Sequence, residues 1–446
     1  MALLTQDEVQ ALLKKVLSYS KADECQVTIN GSEGGNIRYA RNSVSTSGAV
    51  NQVSLVVSSV YGKKLGTSTI NEYDDASLAK AVRRSEELAR LAPENPEHLP
   101  FLGPQTYSRP SAKTFIPATA AIDARLRADL VQQSLQIARD AQLTAAGFLQ
   151  NTAGFSGIMN SHGLFAYTTA TDVNFSVTLR TADGTGSGYA AKGYNDISKL
   201  DVAGASKIAA WKAGKSAGAK AIEPGKYTVI LEPAAGIVLL ENLYGALDAR
   251  SADEGRSFLS RPGGKTRLGE KLVDEQVTIY SDPLNEELPG SPYNGEGLPQ
   301  QKVSWIEKGV IKNLFYSRYW AQQKGVKPLP SPDGIIMQGG TASVEDLIKS
   351  TEKGILVTRL WYIRAVDPQT LLFTGLTRDG TFYIENGQIK FPIKNFRFNE
   401  SPIIMLNNLE TLGKPERTVS SEGGGSALIP PMKIRDFTFT SLSDAV

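Results

Sequence analysis

A fixed internal offset constrains this chain more than any other feature. Val53-Ser-Leu-Val-Val57, Gly62, Gly66, Asp74, Leu78 and Ala81 are matched 122 positions later by Phe175-Ser-Val-Thr-Leu179, Gly184, Gly188, Asp196, Leu200 and Ala203. In both copies an alternating strand leads through a glycine-containing hairpin to an Asp-capped helix. Two copies at so long a period describe a duplicated unit, whereas a solenoid needs several short ones. Around them, Glu24–Ile29, Asn36–Ala40 and Val53–Val57 read as strands. Helices are expected from Asp74-Asp75 and over about 120–141. Prolines at 93, 96, 100, 104, 110 and 117 between the copies predict an extended connector. The expected class is α+β. An N-terminal domain, 1–222, holds two units (1–92 and 120–222) joined by the connector 93–119. A strand-rich domain with mixed and antiparallel sheets spans 223–446.

In the second half, Tyr227–Leu231 reads as a buried strand broken by Glu232-Pro233, after which the pattern turns helical. Ile237, Leu240, Leu243, Tyr244 and Leu247 recur at three- and four-residue spacing, which predicts one apolar face on a helix running to Arg250. A zinc hydrolase would carry two histidines one turn apart here, because ligands must project together. This helix has Leu240, Glu241 and Gly245. Glu307-Lys-Gly309 and Asn386-Gly387 predict hairpin turns. Ser421-Glu-Gly-Gly-Gly-Ser426 reads as a flexible surface loop, since it lacks the Lys-Ser/Thr and helix of a phosphate-cradling loop.

Only two histidines and one cysteine occur. His98 lies among prolines and His162 in an Asn-Ser-His-Gly turn, so both read as solvated loop residues rather than ligands. One cysteine, Cys25, excludes an internal disulfide and a multi-cysteine metal site. The formal charge is +2, with both signs interspersed, and gives no reason to expect nucleic acid or an anionic membrane. No apolar run approaches a membrane span. Thr5 to Glu8 reads as a capping box rather than part of a signal peptide, and the expected location is cytoplasmic.

The order and spacing of many short stretches resemble the TldD/PmbA family. They include Pro233–Arg250, Gly255-Arg-Ser-Phe-Leu259, Leu268-Gly-Glu270, Ser281-Asp-Pro283, Gly354-Ile-Leu-Val-Thr358, Ile384-Glu-Asn-Gly387 and Thr411-Leu-Gly-Lys414. Within the family the likeness is to the TldE (PmbA) branch. The metal-bearing TldD branch carries a His-Glu-x-x-x-His helix and, later, a Cys-Gly-Lys cysteine. Here the matching positions are Leu240, Glu241, Gly245 and Leu412. Leucine and glycine offer a metal no side-chain lone pair, so the resemblance implies no zinc and no catalytic residue in this chain. Glu241 then reads as a hydrogen-bonding or helix-solvating carboxylate rather than a general base.

The resemblance further implies a heterodimer with a TldD-like, zinc-bearing subunit that cleaves unfolded or short peptides. This chain would close and gate the chamber, and it can homodimerise when alone. Arg359, Trp361, Tyr362 and Arg364, in a loop after a strand, are candidate peptide- or partner-binding residues, as are Arg378, Arg397 and Asn399; surface charge and core packing are the plainer account. The alternative function is a homodimeric peptide-binding protein without protease activity. A metal-independent hydrolase would need Glu241 paired with Asp248 or Asp253, and Glu241 and Asp248 share a face if the helix continues.

Overall fold

The computed structural model describes residues 3–331 and 333–443; residues 1, 2, 332 and 444–446 of the expected spans lie outside it. The chain is α+β throughout. Six long antiparallel strands make the N-terminal sheet: β1 (Glu24–Ala40), β2 (Ser43–Tyr61), β3 (Lys64–Ile70), β4 (Thr144–Asn160), β5 (Phe165–Arg180) and β6 (Ser187–Tyr194). Their order is β3-β2-β1-β4-β5-β6, so the two copies meet at the β1–β4 pair and run outward as mirror-ordered hairpins. The expected strands Glu24–Ile29 and Asn36–Ala40 are one continuous β1, because the Gly-Ser-Glu-Gly-Gly stretch between them stays in register with both neighbours.

Alternation puts Val27, Ile29, Ile37 and Tyr39 of β1, and Ala145, Leu149, Phe155 and Met159 of β4, on one buried face. Helices Gln6–Ser18 and Asp75–Leu91 contribute to the core over one half, and Ala124–Asp140 and Val202–Ser216 over the other. The repeated glycines have a shared steric reason. A Cβ on Gly66 would sit 2.2 Å from Ser85 O, and one on Gly188 would sit 2.1 Å from Ala209 O. In each copy the helix backbone rests directly on the third strand.

The copies differ at the helix start. Asp74 caps Asp75–Leu91 through the N–H groups of Ala76 and Ser77. Asp196 instead caps a 3₁₀ turn, Ile197–Lys199, and Asp201 caps the helix proper through Gly204 N–H. The connector is irregular apart from a helical turn at Pro117–Ala120, and it lies along the other sheet face, where Leu102 and Tyr107 pack with Ile158, Leu164 and Ala166.

His98 corrects the expectation of a solvated loop residue, whereas His162 is exposed as predicted. His98 Nε2 lies 3.0 Å and His162 Nε2 3.4 Å from the two carboxylate oxygens of Glu24, at the start of β1. Glu24 also accepts the Phe101 N–H, so the pair fastens connector and β4–β5 turn to one strand.

In the second half, Lys353–Asp367, Lys226–Leu231, Met432–Leu442, Phe396–Glu400 and Leu372–Glu385 pair in that order, and Leu372–Glu385 pairs back to Lys353–Asp367 to close a small barrel. One pair, Lys353–Asp367 with Lys226–Leu231, is parallel. A second sheet runs Val310–Ile311, Val303–Glu307, Ile279–Ser281, Ile335–Met337, Ser426–Ile429, Glu416–Val419. The predicted hairpins form with left-handed turn residues at Lys308-Gly309 and Asn386-Gly387.

Candidate functional site

The helix after Lys226–Leu231 runs from Pro233 to Gly245, shorter than the sequence pattern predicts. Pro233 starts it at a position needing no N–H, with Glu232 as N-cap. Ala235, Gly236, Ile237, Val238, Leu239, Leu240 and Leu243 are all buried. The helix is therefore apolar around nearly its whole circumference, as suits an element enclosed in a core, not the one-faced helix that spacing predicted. The close approach of Met432 to Gly236, whose Cβ would lie 2.5 Å from the methionine methyl, fixes its distance from the barrel. Leu412 pairs opposite that same Met432 on the adjacent strand. Leu240 is 1% exposed and joins Leu412 in one apolar cluster. Gly245 is exposed at the helix end, with nothing within 4 Å of an added Cβ.

Glu241 is the polar exception. Its carboxylate faces the Ser420–Gly425 loop: a Cβ on Gly425 would be 2.7 Å, and one on Gly423 3.1 Å, from its oxygens. Burial raises its pKa, opposed by a hydrogen bond from Ser420. It is thus a half-buried group covered by the loop. The loop lies at the surface, as the sequence predicts, with residues 422–425 exposed, and it is tied internally: Ser420 N–H donates to Gly425 O, and Ser420 Oγ accepts from the N–H groups of Glu422 and Gly423. Side chains at 423 and 425 would press on Glu241, whereas Gly424 has open space and a left-handed φ of 73°.

The carboxylate-pair arrangement does not form. The helix ends before Asp248, which instead caps Ala249–Asp253 through Ser251 N–H at 2.7 Å. Asp253 accepts from Trp320 Nε1 at 2.8 Å and lies 3.2 Å from Lys324. Glu254 is shared between Arg250 and Arg256, and Arg250 also forks onto Glu97 of the connector.

Glu422 links this helix to the candidate binding residues. Its Oε1 accepts the Tyr362 N–H at 2.9 Å, holding Tyr362 in a left-handed conformation at φ 58°. Arg359 to Arg364 are therefore not in a loop but inside strand Lys353–Asp367, whose bulges re-aim the side chains. Arg378 lies 4.3 Å over the Trp361 ring, Trp361 and Tyr362 are 5.5 Å apart, and Arg364 lies 4.1 Å over Tyr362. These four form a continuous ladder, two neighbouring aromatic rings with a guanidinium group at each end. Arg364 and Asn399 both stand opposite Thr374, from its two sides, and Arg397 Nη1 is 3.4 Å from Thr374 Oγ1. Arg359 leaves this group: it reaches Asp379 at 3.0 Å and the Tyr189 ring at 4.3 Å, where Ser187 Oγ also donates to Asp379. The roles of Ser420, Glu422 and the loop glycines escaped sequence reading, although the Gly-rich run was visible.

A zinc ion does not fit the four family positions. Leu240 and Leu412 are packed hydrocarbon, Gly245 has no side chain, and Glu241 is enclosed by the glycine loop. Among the described residues, no three His, Cys, Asp or Glu side chains are grouped so as to hold a metal.

Residues 119–223 match the PmbA/TldA metallopeptidase central domain, and residues 224–441 match the C-terminal domain of the same family. This chain belongs to the PmbA/TldD metallopeptidase family. It is similar to the metalloprotease PmbA of Escherichia coli O157:H7, at 24% identity with 94% of this chain and 93% of that protein covered. A metalloprotease TldD homolog of Buchnera aphidicola shares 27% identity, over 40% of this chain and 38% of its own length. In fold the chain matches the crystal structure of TldE from Thermococcus kodakarensis, with a TM-score of 0.86 and 19% identity, over 97% of this chain and 99% of that one. Among the described residues, no helix is long and apolar enough to cross a membrane.

Proposed function

We propose that this chain is the non-catalytic, TldE-type subunit of a two-subunit peptidase, acting in the cytoplasm on unfolded or short peptides. The observation that carries this role is the chemistry of the central helix. A ligand-bearing helix must present lone pairs at 240 and 245, and this one presents buried hydrocarbon and a bare backbone. Glu241 alone, capped by its own loop, has no metal-bound water to activate. Zinc and the hydrolytic step belong, on this reading, to a TldD-like partner.

The role of this chain is to wall and gate the chamber. The Arg378–Trp361–Tyr362–Arg364 ladder supports it, since arginine and aromatic groups are enriched where proteins meet, and Tyr362 is 46% exposed. Arg397 and Asn399 extend the same surface. The proposed division at about residue 222 is supported by the meeting of the two family segments at 223–224.

The test is reconstitution with the TldD-like protein of the same genome. A one-to-one complex should form and cleave an unfolded peptide that this chain alone leaves intact. Cleavage by the chain alone, or no complex, would refute the role.

A further inference from the structure

The outer edge of β2 is open where its counterpart in the second copy is closed. β3 has seven residues to β2's nineteen and pairs only with residues 55–61. Residues 43–54 therefore have β1 on one side and, among the described residues, no main-chain partner on the other. None of them is buried. The stretch, Ser43-Val-Ser-Thr-Ser-Gly-Ala-Val-Asn-Gln-Val-Ser54, carries no charge and no proline. Past one bulge near its start, opposite Arg38 and Tyr39, its register with β1 is unbroken. Native sheets guard a long edge with lysine, proline, bulges or a covering segment. Past that bulge, this edge has none of these.

The second copy shows what the edge lacks. By the 122-residue offset, residues 43–50 of β2 correspond to residues 165–172 of β5, which β6 likewise leaves unpaired. There other segments close the gap. Thr171 N–H donates to Thr114 O of the connector at 2.9 Å, and Thr171 O accepts from Asn195 Nδ2 at 2.7 Å. Ile116 N–H adds a bond to Thr171 Oγ1 at 2.9 Å. The offset puts Ala49 in the place of Thr171, and no segment plays that part beside it. Ala49 shares the alternation of the buried Leu55 and Val57, as Thr171 shares that of Val173 and Phe175. Its N–H and C=O therefore point outward as those of Thr171 do, and so do those of Ser47, Asn51 and Val53.

We infer that this edge pairs antiparallel with the same edge of a second copy of the chain, about a twofold axis at Ala49, joining two six-stranded sheets into one. The strand suits a partner identical to itself. With no charge along it, self-pairing brings no like charges together. Gly48 and Ala49, its smallest residues, lie where the two main chains meet. Ser47 of each copy then stands opposite Asn51 of the other, a hydroxyl facing an amide. The contact is isologous and closes, since each copy gives up the one edge it offers. The inference goes beyond the peptidase reading and does not rest on it.

Sedimentation velocity of the full chain alone, from micromolar to hundred-micromolar concentration, reads the dimer. Ser47→Lys combined with Asn51→Lys sets lysine opposite lysine across the axis and should weaken the dimer at least tenfold. Ser47→Lys combined with Asn51→Glu sets opposite charges there and should restore the dimer to within about threefold of the parent. Both positions are exposed, so circular dichroism and the thermal midpoint should match the parent in each variant. In a separate variant, Ala49→Cys should cross-link two copies on oxidation, because directly opposed main chains lie about 5.5 Å apart at Cα, within disulfide reach. Cys25, 1% exposed, stays out of that reaction. A monomer throughout the range, a dimer indifferent to the paired lysines, no recovery with the lysine–glutamate pair, or no cross-link at Ala49→Cys would each overturn the inference. Zinc and activity measurements on the two-subunit complex judge the accessory role independently, so the two readings can fail separately.

Discussion

Replacing Leu240 with histidine tests whether the position matched to a metal ligand has been absorbed into packing. Leu240 is 1% exposed, within an apolar cluster that includes Leu412 and Met432. Removing its side chain from that cluster forfeits about 1.5–3 kcal/mol of apolar burial. An imidazole there has no polar partner in the cluster, and burying it so costs about 1–3 kcal/mol more. The expected total is about 3–5 kcal/mol. At roughly 2–4 °C per kcal/mol for a cooperative unit of 150–250 residues, the thermal midpoint should fall by about 10 °C. Leu240→Met, which keeps volume and apolarity, should cost under about 1.5 kcal/mol. Differential scanning calorimetry with and without zinc reads both variants. A Leu240→His protein melting within about 2 °C of the parent, or stabilised by added zinc, would show that the position is not a dry packing site.

Three further outcomes follow from the geometry. Burial raises the Asp172 pKa from 3.8 to about 6, partly offset by Arg417, so the folded chain binds this proton more tightly than the unfolded one. Its contribution is full below about pH 4 and is lost as pH rises through about 6. Asp172→Asn should therefore match the parent at pH 4 and exceed it at pH 8, by up to about 3 kcal/mol, in urea unfolding; no pH-dependent difference would contradict this. Gly188→Ala should cost about 1–3 kcal/mol or more, because its Cβ meets helix backbone at 2.1 Å. Gly184→Ala, at φ 74° with open space, should cost only about 1 kcal/mol, and a reversed order of urea midpoints would contradict the close-packing account. Tyr362→Ala, at a half-exposed site, should change stability by roughly 0.5 kcal/mol or less while weakening association with a TldD-like partner at least tenfold by calorimetry. Unaltered affinity would remove the ladder from the interface.

Much of the architecture was legible because it is written in short-range patterns. Alternation gave the long strands, Asn386-Gly387 and Lys308-Gly309 gave hairpins, and the 122-residue offset gave the two halves of the N-terminal sheet. The end of the central helix was not legible: Leu247 continues the apolar spacing, but Asp248 finds a better place as the cap of the next short helix. Nor did spacing show that the helix is enclosed all round, since burial of Val238 and Leu239 depends on sheets far away in sequence. His98 looked solvated because its partner, Glu24, is more than 70 residues away in the chain. Arg359 to Arg364 looked like a loop because their left-handed residue and bulges exist only against Glu422 and the neighbouring strand. Those contacts are long-range, and no local pattern announces them.

The most direct test of the central claim is the zinc stoichiometry of this chain purified alone and after mixing with a TldD-like protein of the same genome, by plasma mass spectrometry after dialysis. The account predicts no zinc in the chain alone and one ion per heterodimer, retained when Glu241 is changed to Gln. Stoichiometric zinc in the isolated chain, or loss of the complex's zinc in the Glu241→Gln protein, would contradict it.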